Sequence, residues 1–163
     1  MNTNDLHANF QTALQNGKFG TLRPQTQKTT LLDLLPDIEP GTVDGFFYQD
    51  SMEWLFTGER LERLRIQFDE PFRATRALIQ LQLQWMAVLW RQPYLEVLAL
   101  FQASARPFRA LEYEDGRLGL HCFTAPSGLL LDFNADGVCE RFTLEFEDRF
   151  RVLSGIRSLT LQQ

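Results

Sequence analysis

Carboxylates are the side chains this chain supplies most freely for chemistry. Asp132, Asp136, Glu140, Glu145, Glu147 and Asp148 crowd one stretch, and Glu112, Glu114 and Asp115 precede it. Acids this dense can hold calcium, but Asn134-Ala135-Asp136-Gly137 lacks the alternating oxygen ligands and trailing bidentate glutamate of a calcium loop. It reads as a solvated turn. Taken together, the acids form a negative face suited to steering a basic partner. They suit equally well a sheet edge that resists aggregation. Glu112, Glu114, Asp115, Asp136 and Glu140 are therefore the acidic candidates for partner contact.

Other chemistries are poorly supplied. His7 adjoins Leu6 in a helical stretch, and His121 adjoins Cys122 in an apolar one, so no three- or four-ligand metal spacing exists. Ser127-Gly128 is not a Gly-x-Ser-x-Gly elbow. Gly17-Lys18-Phe19-Gly20 lacks the spacing of a phosphate loop. The reading is of a non-enzyme with no catalytic residue, no cofactor and no metal. Cys122 and Cys139 fall on different expected strands, and Cys122 reads as a small buried hydrophobe. Among the aromatics, Trp85 and Trp90 are the residue type that anchors interfaces. The helix expected to carry them is apolar on more than one side, which suits either a buried central helix or a homodimer contact.

Composition narrows the partners. A formal charge of −5 opposes binding to free nucleic acid, which needs a basic surface. The 44% hydrophobic content and the 14 phenylalanines point to a packed, Phe-rich core. The most apolar stretch, residues 78–90, is interrupted by Gln80, Gln82 and Gln84, too short and too polar to span a bilayer. The opening MNTNDLHANF has neither a basic nor an apolar leader region. A cytoplasmic location is the expectation.

The elements that must position these residues are written as two similar passages. Residues 51–72 read SMEWLFTGERLERLRIQFDEPF, and residues 127–150 read SGLLLDFNADGVCERFTLEFEDRF. Phe56 and Phe133 each stand five residues before an aliphatic, Leu61 or Val138. An alternating run follows in both, Leu64-Ile66-Phe68 and Phe142-Leu144-Phe146, and each ends acid, acid, one more residue, then Phe. Self-similarity of this kind decides architecture. Helices are expected at residues 4–15, capped near Asn2, Thr3 or Asn4 and stopped by Gly17, and at 30–35 behind Thr29 or Thr30. A long helix is expected over 74–92, where neither Gly nor Pro intervenes, and another over 94–103 begun by Pro93. Strands are expected at 45–49, 52–56, 61–68, 108–113, 118–123, 129–133 and 138–146, with a strand or tail at 152–161. On the return strand Leu64, Ile66 and Phe68 face one way and Arg63, Arg65 and Gln67 the other. The fold class is α+β: two tandem helix-helix-antiparallel-sheet repeats, 1–72 and 73–150, forming one compact unit, with 151–163 as a terminal strand or tail.

The segment Gly17-Lys18-Phe19-Gly20-Thr21-Leu22-Arg23-Pro24, a Leu-rich helix, an aromatic strand and then FTGERLERLRIQF resembles a group of small bacterial α+β proteins of the toxin-immunity type. Their pattern runs Gly-x-(Ile/Leu)-(Arg/Lys)-Pro-Gly, a helix ending Leu-Gly-x-Pro, and LxxxFxxGxLxxIxIxF. The likeness spans residues 17–68 and extends to 108–146. Gln25 stands where the pattern has Gly, and Leu35-Pro36 where it has Leu-Gly-x-Pro. The resemblance implies an inhibitor that neutralises a toxin or effector by covering it, so the expected partner is a protein. A homodimeric secretion chaperone or adaptor is the first alternative, and an enzyme with an unfamiliar site is the second.

Overall fold

The computed structural model describes residues 2–68, 75–124, 127–146 and 156–162. Helix α1, Thr3–Asn16, starts from a reciprocal cap: the Asn2 side chain accepts from the Asp5 N–H, and the Asp5 carboxylate accepts from the Asn2 N–H. This satisfies two donors near a helix start, where four amides lack intrahelical acceptors. Gly17 closes the helix at φ 63°, donating its N–H to Ala13. Phe10, Ala13 and Leu14 form the buried stripe.

Helix α2, Lys28–Leu34, begins earlier than the threonines suggest. Gln27 is its N-cap and contributes no side-chain bond. The start is set by pairing instead: the Lys28 N–H donates to Glu59 O at 2.7 Å, and the Leu61 N–H donates to Thr26 O at 3.1 Å.

The long helix expected over 74–92 is two short ones. Helix α3, Arg76–Gln80, stops after little more than one turn, and a 3₁₀ segment, Gln84–Leu89, follows. Gln82 takes a left-handed φ of 58°. Its N–H bonds to Ile79 O, and the Leu83 N–H reaches back to Leu78 O, the paired bonds that end a helix with a left-handed residue. The reason lies in the side chains. Leu78, Leu81, Leu83, Trp85, Met86, Val88 and Leu89 are all buried. One straight helix cannot turn so many positions toward one core, and the break reorients the second half. Helix α4, Tyr94–Ala103, matches expectation in extent, with Pro93 as its N-cap. It buries Val97 and Phe101 while Leu95 is exposed.

The strands are β1 (Glu39–Pro40), β2 (Phe46–Gln49), β3 (Met52–Thr57), β4 (Arg60–Gln67), β5 (Phe108–Tyr113), β6 (Leu118–Thr124), β7 (Ser127–Phe133), β8 (Cys139–Glu145) and β9 (Ile156–Gln162). They form one antiparallel sheet in the order β1-β2-β3-β4-β8-β7-β6-β5-β9. The fold is thus mixed α+β, with helices packed against one sheet face. Phe10 meets Trp85 and Phe101, Trp85 meets Phe142, and Phe101 meets Phe108, which ties the helical layer to the sheet.

The β3–β4 and β7–β8 hairpins share details beyond their sequences. Each has a bulge just before its phenylalanine, between Leu55 and Phe56 and between Asp132 and Phe133. The register passes over Glu62 in one and Glu140 in the other. The Phe146 N–H donates to Glu62 O, and the Phe68 N–H donates to Glu140 O, both at 2.8 Å. The docking of α2 on its hairpin also has a counterpart at α4. The Tyr94 N–H donates to Gly137 O at 2.8 Å, and the Cys139 N–H donates to Gln92 O at 2.9 Å. The acid-acid-x-Phe endings, 69–72 and 147–150, lie outside the described residues, as does Pro71.

Candidate functional site

Strand alternation sorts the sheet's side chains. Leu64, Ile66, Leu129, Leu131, Phe142 and Leu144 point into the helical layer and are fully buried. The far face takes their neighbours, among them Glu53, Tyr113, Asp132, Thr143 and three arginines, Arg63, Arg65 and Arg141. Glu53 Oε1 is the shared acceptor for Arg63 Nη2 at 3.5 Å and Arg65 Nη1 at 3.4 Å. Asp132, buried, accepts from Arg141 Nε and Nη2 at 2.9 Å and from the Tyr113 hydroxyl at 2.5 Å. Burial, and then the Arg63 and Arg141 charges, lower the pKa of Arg65; Glu53 and Asp132 oppose this. Burial, then the bond to Asp132, raises that of Tyr113.

The acids singled out in the sequence are placed along one end of the sheet. Glu114 and Asp115 lie exposed in the β5–β6 turn and Asp136 exposed in the β7–β8 turn, which the meander brings to the same end. Glu140, half-buried at the bulge, joins Asp115 through Arg117, whose Nε meets Asp115 at 2.6 Å and whose Nη1 meets Glu140 at 3.1 Å. Glu112 is half-buried on β5. The turn before Asp136 is held by Asn134 Oδ1, which accepts from the N–H groups of Asp136 and Val138 at 3.0 Å.

The two tryptophans part company. Trp85 is 6% exposed and packs among Phe10, Phe19 and Phe142, so its ring is core. Trp90 is half-buried, with the Arg91 guanidinium 5.0 Å from its ring centre. His121 and Cys122 sit buried on β6 as strand neighbours. Burial pushes the Cys122 thiol up to about 11 and raises that of Cys139 as well; both are free thiols. No group of three or more His, Cys, Asp or Glu among the described residues could hold a metal ion. No helix among them is long and apolar enough to cross a membrane.

A second feature escaped sequence reasoning. Residues 29–59 contain Asp33, Asp37, Glu39, Asp44, Asp50, Glu53 and Glu59 and no Lys or Arg. Glu53 and Glu59 are paired, the latter with Lys28. The other five carboxylates are exposed and make no described ion pair. The same α2–β1–β2 edge exposes Leu34, Val43 and Tyr48, at 38, 60 and 43%. A charge count by segment would have found the run, since it outweighs the net charge of the whole chain. A cleft of about 450 Å³ lies between α1, the Gly17–Gly20 loop and the helix break, lined by Asn9, Thr12, Asn16, Lys18, Gln82 and Gln84. Comparison of the chain with protein families, with characterised proteins and with solved structures finds no match to any of them.

Proposed function

We propose that this chain is a non-catalytic protein-binding protein of the immunity or inhibitor type, which neutralises a toxin or effector by covering it. The observation that carries the reading is the α2–β1–β2 edge. It combines five exposed carboxylates that make no described ion pair with exposed Leu34, Val43 and Tyr48. Apolar and aromatic anchors supply the contact area, and the surrounding charge selects a basic partner and speeds encounter. Glu114, Asp115 and Asp136 extend the negative potential to the turn end of the sheet. We also read the chain as two tandem copies of one unit. The matched bulges, the reciprocal Phe68 and Phe146 bonds and the twin helix dockings support that reading.

The test is binding and inhibition. The purified chain is titrated against the products of neighbouring genes, with enzymatic activity as the second readout. The expected result is a one-to-one complex that abolishes the partner's activity. Replacing Asp37, Asp44 and Asp50 together by Lys should slow association about tenfold or more at low salt, with the gap closing as salt rises. A chain that binds none of these products and forms a stable homodimer instead would overturn the reading in favour of a chaperone.

A further inference from the structure

We infer that the far face of the sheet carries an oxyanion subsite centred on Arg65 and flanked by Arg63 and Arg141. The ligand class is a small oxyanion, a phosphate or a carboxylate group. This does not depend on the protein-binding reading, and either can fail without the other.

Placement is the first support. Arg63 and Arg65 are successive far-face positions on β4, and Arg141 on β8 stands opposite Gln67, the next such position. Three guanidiniums therefore spring from adjoining points of two paired central strands. Arg65 itself pairs with Thr143, and the hairpin correspondences place Arg63 and Arg141 at equivalent positions on either side of that pair.

A surplus of donors is the second. Each guanidinium has five N–H groups. Arg63 and Arg65 share one oxygen, Glu53 Oε1, at long range. The Nε of each is buried with no acceptor among the described residues. Arg141 gives one edge to Asp132 Oδ2. Buried donors without acceptors are costly, and an oxyanion provides several acceptor oxygens at once to planar, forked donors.

The balance of charge is the third. Glu53 and Asp132 are the two acids in described contact with the three guanidiniums. Glu145, opposite Arg63 in register, bounds the site at that end and forms no described ion pair with it. The arginine side chains remain reachable from solvent, at 17, 34 and 29% exposure for Arg63, Arg65 and Arg141.

The full chain is titrated with inorganic phosphate and, separately, with citrate at constant ionic strength, by calorimetry and by the NMR signals of the arginine Nε–H groups. Saturable binding that shifts the Arg63 and Arg65 signals is expected. Arg65→Gln should weaken it about tenfold or more, and Arg65→Lys, which keeps the charge but loses the fork, should weaken it as well. Arg141→Gln serves as a second variant should Arg65→Gln fold poorly. Glu145→Gln should strengthen binding about twofold, and Arg60→Gln should leave it unchanged. Saturation by both probes supports a general oxyanion subsite. Saturation by one alone supports the subsite and assigns its ligand to phosphates or to carboxylates. No saturable shift with either probe, or unaltered binding by folded Arg65→Gln and Arg141→Gln, overturns the proposal.

Discussion

His121 is buried on β6 directly across from Arg109 on β5. Burial, and then that guanidinium, depress its pKa from 6.5 to about 4. In the unfolded chain the imidazole takes up its proton near 6.5, where the native chain refuses it. Stability contributed by this residue is therefore full above about 6.5, falls as pH drops toward about 4, and levels off below. The total is about 3 kcal/mol by linkage. Urea unfolding at pH 7 and pH 4.5 should show a larger acid loss for the native chain than for His121→Gln. Equal losses would mean the imidazole is protonated in the folded state. This residue was legible as a strand neighbour of Cys122, but its burial was not, because that depends on what flanks β6 in the sheet. Of the far-face arginines, Arg63 and Arg65 were legible only as an outward alternation, and Arg141 was not singled out. Which carboxylates they meet depends on the register of β4 with β8 and β3, and that is a long-range property.

Among the elements, the break after α3 departs furthest from what the sequence suggests. Absence of Gly and Pro from the stretch favours a helix by propensity, and tertiary burial overrides it. The polar and apolar alternation from Ile79 to Gln84 was the signal, since a period of two cannot serve one helical face. The break is also gripped from outside. Gly20, at φ +63°, packs so closely that a Cβ would lie 2.0 Å from Leu81 O, and the Thr21 N–H bonds to that same oxygen at 2.9 Å. Gly20→Ala should cost about 2 kcal/mol or more in chemical denaturation, because strain and collision add. Gln82→Gly should stabilise by about 0.5–1 kcal/mol, because Gln82 holds a left-handed conformation that glycine adopts without penalty. A loss of stability in Gln82→Gly would mean that its side chain, which lines the cleft, contributes more than its backbone strain costs. Helices α1 and α4, by contrast, were legible from caps, Pro93 and spacing, since those signals are local. Helix α2 was legible in kind but not in start, because its first residues are placed by a hairpin turn some thirty residues further along the chain.

For the whole molecule, the doubled passage foretold the two hairpins but not how they meet. Their meeting line is the β4–β8 ladder, bracketed by the Phe68 and Phe146 bonds. Both halves lean on this seam, so unfolding should be a single cooperative transition. Ile66→Ala, at a fully buried position in the seam, should cost about 2–4 kcal/mol and lower amide-exchange protection in β7 to the same degree as in β3. Undiminished protection in β7 would mean that the halves open independently. The sheet also has a margin worth noting. Strand β1 is only Glu39–Pro40, and proline brings no N–H to its outer side. Another chain arriving there finds no ladder to extend, so this border is sealed against polymer growth. Anything that settles on the acidic edge must hold on by side chains. Its grip should therefore loosen with salt in a way that a strand-to-strand graft would not.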